Sequence, residues 1–257
     1  MDENYFDNYF DELSTKGYCK INKLLEPNFL NDINAEMLDL IDIKELSKKN
    51  LVGFKMGNLA IHSSVYHQLI WEKLKKSELI SSVQYKFDYK YVTCGGNLNL
   101  PNSTTQKIHY DSNEPNLIIN IPLVGVNKHN GAMGIIPSRK SNKKNTLKFY
   151  ISRNYKNLIR LDSILGDVIL RFTNTWHRGN TNFSNNPRIV LSFILRKNSQ
   201  YRNEQKINNA NFGSNKLFRI SGNMYPESKL GHFMENLDLK IPVFKNLEKL
   251  SHIIRGR

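Results

Sequence analysis

Apolar residues recur at helical spacing early in the chain and at strand spacing later. Leu30, Ile33, Met37, Leu40 and Ile41 fall three and four apart behind Pro27 and Asn28, a candidate cap, and predict an amphipathic helix over 28–47. A second helix is predicted over roughly 64–76, with Val65, Leu69, Ile70 and Leu74 on one side. From about residue 83 the pattern changes. Short β-branched or aromatic runs alternate with Gly, Pro, Asn and Ser: VQYKFDYKYVT, KIHYD, LIINIPLVGV, GAMGIIP, DVILRFT and RIVLSFILR. Six such runs predict an antiparallel barrel or sandwich. Residues 201–257 are polar and irregular, with a helix expected near 245–254. No repeat, low-complexity linker or charge block marks a boundary. The economical reading is one domain over 1–257, mainly β with flanking helices (α+β). It has a helical N-terminal layer over 1–80, a β core over 81–200 and a C-terminal extension over 201–257.

Composition narrows the class. The 257 residues are 39% hydrophobic, enough for a sizeable core, and no stretch approaches the roughly 20 consecutive apolar residues of a membrane span. The opening MDENYFDNYFDELSTK is acidic and aromatic, unlike a secretory leader, so the Asn-x-Ser/Thr matches at Asn102 and Asn182 carry little weight. Two cysteines, Cys19 and Cys94, exclude a disulfide framework and a Cys-rich zinc site. A soluble, cytoplasmic protein of undetermined oligomeric state is expected.

Charge is uneven. Residues 1–50 hold 11 acidic and 6 basic residues, a net of −5, and the remainder 12 acidic and 31 basic, a net of +19. With 34 asparagines beside the lysines and isoleucines, the favoured explanation is the codon bias of an AT-rich genome; an anionic ligand is the alternative. No Lys/Arg block reaches five residues and the aromatics do not interleave with basic residues, which disfavours a nucleic-acid partner.

Of the seven histidines, only His109 is followed two residues later by a carboxylate, Asp111. In a strand, residues i and i+2 share a face, so both side chains can bind one ion. His177, at the end of the alternating run GDVILRFTNTWH, is the best-placed third ligand. Two imidazoles and one carboxylate leave three positions of an octahedral ion open, the facial arrangement of non-haem Fe(II) oxygenases. After His177 a turn, GNTNFSNNP, leads to an apolar strand beginning at Arg188, and a hairpin there returns Arg188 to the metal end. An inward arginine at that point needs an anion, such as a cosubstrate carboxylate.

These residues resemble the phytanoyl-CoA dioxygenase family of Fe(II)/2-oxoglutarate-dependent oxygenases, from the Gly-Tyr at 17 to the strand ending near Arg196. The resemblance implies a double-stranded β-helix, a cupin-like jelly roll, with His109, Asp111 and His177 as iron ligands. Arg188, eleven positions after His177, would bind the distal carboxylate of 2-oxoglutarate, and O2 would be the other cosubstrate. The segment NLNLP resembles a strand lining the cosubstrate pocket, where Asn97 and Asn99 share a face. The implied reaction is hydroxylation of a C–H bond in a small substrate, anionic or carrier-linked, with release of succinate and CO2. Where the family often shows Gly-Ser-His-Lys, this chain reads Pro137-Ser138-Arg139-Lys140. Lys and Arg between 139 and 160 are expected to form a lid over an anionic substrate. Tyr110 and Trp176 are read as core or rim aromatics as readily as substrate contacts, and His62 and His67 as surface or lid residues. Two rivals stand beside this: a non-catalytic jelly-roll binding module, and a nucleic-acid dealkylase. The latter needs a second arginine close after Arg188, and Arg196 does not fit that spacing.

Overall fold

The computed structural model describes residues 5–48, 57–106, 108–137, 157–200, 202–214 and 218–221. Two sheets face each other. The larger has eight strands, in the order β1 (Tyr18–Ile21), β7 (Val168–Phe172), β4 (Leu117–Pro122), β9 (Arg188–Arg196), β3 (Tyr91–Asn99), β2 (Asn58–Ser63), β11 (Phe218–Ser221), with β10 (Gln205–Lys206) also paired to β3. The smaller runs β6 (Ile159–Leu161), β5 (Met133–Ile135), β8 (His177–Arg178). Among the described residues every pairing is antiparallel, as in a jelly roll.

Alternation along the strands of the large sheet builds two interiors. Val168, Leu170 and Phe172 of β7, with Ile189, Leu191, Phe193 and Leu195 of β9, join a core shared with the helices. Those helices are α1 (Asp7–Lys16), α2 (Pro27–Asp39), α3 (Ile43–Lys48), α4 (Ser64–Lys76) and α5 (Leu79–Phe87). Each fully buried side chain of this kind contributes roughly 1.5–3 kcal/mol. The other face of β1 and β7 meets the small sheet, where Tyr18 and Ile169 pack on Ile135 and Leu161.

Several elements differ from the sequence expectation. The helix expected over 28–47 is two. Asp42 Oδ1 accepts a hydrogen bond from Glu45 N at 3.0 Å, so Asp42 caps a new helix and Leu40 is left exposed. In α4 the buried residues include Tyr66, His67, Ile70, Trp71 and Leu74, and Leu69 is exposed. The first part of the expected strand VQYKFDYKYVT, up to Phe87, is the end of α5, where Leu79, Ile80 and Val83 at helical spacing outweigh the aromatic content; the strand begins at Tyr91. The N-terminal layer is not purely helical, because β1 and β2 lie in it, and β10 and β11 come from beyond residue 200. The short β6 also went unread. Within the expected strand KIHYD, His109 forms a single bridge to His177 rather than part of a strand. The helix expected near 245–254 lies outside the described residues, as does most of the expected lid; Arg160, within reach, pairs with Asp162. Among the described residues no helix is long and apolar enough to cross a membrane.

Candidate metal centre and cosubstrate pocket

The chain does not run straight from β7 to His177. It leaves the large sheet at Phe172, turns over Thr173–Trp176 and enters the small sheet, where His177 pairs with Ile135. Gly17 anchors this turn. At φ +83° it ends α1 in the left-handed region that glycine tolerates best, and its carbonyl accepts from Phe172 N and Thr175 Oγ1, each at 2.9 Å. His109 and His177 exchange backbone hydrogen bonds of 2.9 and 2.8 Å. Thr173 then fixes the loop that carries Asp111: its carbonyl accepts from Asp111 N at 2.8 Å, and its hydroxyl donates to the Glu114 carbonyl.

The result is a converging triad. One ligand atom from each of His109, Asp111 and His177 lies within 4.8 Å of the others. Asp111 Oδ1 is 3.7 Å from Nε2 of both histidines. His177 Nδ1 faces the Thr175 carbonyl at 3.0 Å and must donate to it, which leaves the Nε2 lone pair free for a metal. Burial, then the nearby Arg171 charge, holds the His177 pKa well below its usual value, so the ring is neutral when it binds. For Asp111, burial raises the pKa, but Arg171 and then the two histidines outweigh it and keep the carboxyl well below the usual carboxylate range. This donor set suits an octahedral ion with three open positions.

Arg188 lies on the face of the large sheet that looks away from the helical core. It opens β9 directly opposite Asn99, is 6% exposed, and donates from Nη1 to the Gly131 carbonyl at 2.8 Å. No hairpin joins β8 to β9. The chain crosses back from the small sheet to the large one, and the crossing is held by buried Asn182. Its Nδ2 donates to the Asn99 and Asn186 carbonyls at 3.2 and 2.8 Å. The Asn182 glycosylation match is therefore a structural turn. Gly131 and Ile135, the partners of Arg188 and His177, are four residues apart along the chain, the first in a turn and the second ending β5. Arg188 Nε has no hydrogen-bond partner, and burial lowers its pKa only to about 10, so it stays charged. An enclosed cation with an unused donor fits a carboxylate ligand.

The two asparagines diverge. Asn99 is fully buried and its amide is engaged, donating to Asn58 Oδ1 at 2.6 Å and accepting from Ser103 Oγ at 2.9 Å. It braces β3 against β2 and the following loop. Asn97, half-buried and opposite Val190, keeps the face that looks between the sheets. Two residues on that face escaped the sequence reading: Asn120, whose Nδ2 is buried without a partner, and Ser192, which donates to Asn120 Oδ1 at 3.0 Å. A third is Arg171.

Tyr110 and Trp176 meet edge to face at 5.0 Å and form a small apolar cluster with Ile108 and Ile136. They alternate with the ligands, so they back the site rather than line it. His67 is not a surface residue. It is fully buried, Nε2 donating to the Gly95 carbonyl at 2.8 Å and Nδ1 accepting from Ser63 N at 3.3 Å; half-buried His62 stacks beside it. Gly96 belongs to β3, where a Cβ would meet the Val190 carbonyl at 2.5 Å.

No protein-family model matches the sequence, and no curated protein matches it. Solved structures do resemble it. One is the non-haem α-ketoglutarate-dependent epimerase SnoN from nogalamycin biosynthesis (14% identity, 76% of this chain and 84% of that chain, TM-score 0.58). SnoN has also been solved with Fe3+, α-ketoglutarate and nogalamycin RO. Another is the carbocyclase SnoK of the same biosynthesis (15% identity, 77% and 89%, TM-score 0.54). A third is HygX from Streptomyces hygroscopicus with nickel and 2-oxoglutarate bound (12% identity, 74% and 86%, TM-score 0.57). At these identities the likeness establishes the fold: the cupin-like jelly roll of non-haem iron, 2-oxoglutarate-dependent enzymes.

Proposed function

We propose that this protein is a non-haem Fe(II)- and 2-oxoglutarate-dependent dioxygenase of the phytanoyl-CoA dioxygenase type. On this reading it hydroxylates a small substrate, anionic or carrier-linked, and releases succinate and CO2. The observation that carries the reading is the converging His-Asp-His triad; buried Arg188, whose guanidinium retains an unused donor, supports it. His109, Asp111 and His177 would hold the metal, and neutral His177 and ionised Asp111 are already in their ligating states. Arg188 would fix the far carboxylate of 2-oxoglutarate, with Asn97, Asn120 and Ser192 as polar groups along its length. When bound, iron, 2-oxoglutarate and O2 together supply the oxidising power for C–H cleavage. The chain's own contribution is orientation and dryness: Trp176, Ile108 and Ile136 close the back of the ligand strands against water.

A nucleic-acid dealkylase finds less support, because Arg196 pairs with Glu204 at 2.6 Å instead of joining the pocket. One domain over residues 1–257, acting in the cytoplasm, belongs to the same proposal. The test is aerobic incubation with Fe(II) and 2-oxoglutarate, reading succinate. Wild type should convert 2-oxoglutarate slowly even without a prime substrate, and His177→Ala should not. Equal succinate from both, or none from wild type under any substrate screened, would leave the non-catalytic module as the better account.

A further inference from the structure

Asp111 offers two oxygens, and the structure uses them differently. Oδ1 lies 3.7 Å from Nε2 of both His109 and His177, whereas Oδ2 accepts a hydrogen bond from Arg171 Nη1 at 2.7 Å. Arg171 comes from the middle of the apolar run VILRF. Val168, Leu170 and Phe172 point into the helical core, so Arg171 points between the sheets, where it is 7% exposed and opposite Ile118 and Tyr18. Its Nε has no partner. Burying a guanidinium in such a strand is costly, and the only ion pair among the described residues that offsets it is the one with Asp111.

We infer that Arg171 is a positioning residue that holds Asp111 as a one-oxygen ligand. The count of coordination positions shows what this achieves. Two imidazoles and one carboxylate oxygen leave three facial positions on an octahedral ion; a carboxylate that used both oxygens would close one of them. By claiming Oδ2, Arg171 keeps the third position open and aims Oδ1 at the space between the histidines. A guanidinium beside a dication also repels it, so the two effects of Arg171 have opposite signs and can be separated.

This inference rests on reading the triad as a metal centre, and the experiment distinguishes the two. The full-length protein is titrated anaerobically with Co(II), followed by its visible absorption, in wild type, Arg171→Leu, Asp111→Ala and the double variant. Circular dichroism confirms the fold of each. Arg171→Leu should raise the Kd about 10- to 100-fold, the range for loss of a partner that orients a ligand. In the Asp111→Ala background, where only the repulsion remains, the same change should leave the Kd unchanged or lower it. Arg171→Lys, which keeps the charge with a single compact donor, should recover part of the affinity. Unchanged or tighter binding by folded Arg171→Leu overturns the inference, since the guanidinium would then only repel the ion. Equal losses in both backgrounds overturn it too, by showing a general structural effect. Should Arg171→Leu not fold, Arg171→Lys decides: a Kd and spectrum identical to wild type reject the role. No Co(II) binding by wild type overturns this inference and the metal reading together, whereas normal wild-type binding with indifferent variants overturns this inference alone.

Discussion

The two faces of the large sheet are built from alternate residues of the same strands, yet they solve different problems. On β9, Ile189, Leu191, Phe193 and Leu195 face the helices and are closed off completely. Phe193 packs on Trp71 and Phe212 with ring centroids 5.1 and 5.5 Å away. Arg188 and Ser192, one residue out of step, face the small sheet with polar groups, and the neighbouring strands of the same sheet add Asn97, Asn120 and Arg171. The first face is closed by apolar packing, although it too buries a donor without a hydrogen-bond partner, Trp71 Nε1. The second carries unpartnered donors on Arg188, Asn120 and Arg171, an arrangement that lowers stability in the free protein and favours a ligand. Stability and chemistry are thus separated by a single residue of strand register.

Substitutions should break this division cleanly. The largest effect falls on the helical face: Phe193→Ala should cost about 3–5 kcal/mol in chemical denaturation. If it costs less than the pocket substitutions below, the two faces are not energetically distinct. The next effect is also on this side. Burial holds the His67 pKa down to about 4, so as pH falls the unfolded chain takes up the proton first. The His67 share of stability is therefore complete above pH 6.5 and is lost between there and pH 4, about 3 kcal/mol in all. Urea midpoints measured across that window should fall less steeply in His67→Gln than in wild type.

On the pocket face the signs reverse. Arg188→Met should weaken 2-oxoglutarate binding by about 2–5 kcal/mol, read by calorimetry in the presence of metal. Its unfolding free energy should move by no more than about 1 kcal/mol, because a buried ion gives way to an apolar chain. The smallest and sharpest contrast is between neighbours on one strand. Asn99→Ala should destabilise the fold by about 1–3 kcal/mol by stranding Asn58 and Ser103. Asn97→Ala should leave the unfolding midpoint within about 0.5 kcal/mol and act on cosubstrate affinity instead.

How much of this was legible in the sequence follows from how local each signal is. His109 and Asp111 are two residues apart, so that pair is legible locally, whereas Arg188 is read through the interval that the family resemblance implies. The apolar runs from Leu117 onward mark their strands because β4 and β7 are buried along their whole length. What escaped depends on long-range pairing. β1 and β2 are short segments that become strands only by pairing with β7 and β3. Arg171 read as one polar residue in an apolar run; its role exists only because Asp111, 60 residues earlier, is folded back onto it. His67 was read as a surface residue since nothing local shows that Gly95 would supply its acceptor. Asn97 and Asn99 share a face and a residue type, and only the neighbouring Asn58 and Ser103 show that Asn99 is engaged as a brace.

The central claim is that His109, Asp111, His177 and Arg188 form one iron and 2-oxoglutarate site. It is tested most directly by adding Fe(II) and then 2-oxoglutarate to the metal-free protein under anaerobic conditions. The visible charge-transfer absorption of a chelated keto acid should appear in wild type, vanish in His109→Ala and weaken in Arg188→Ala. A folded wild-type protein that shows no such band at saturating metal and 2-oxoglutarate would contradict the account and leave only the jelly-roll scaffold.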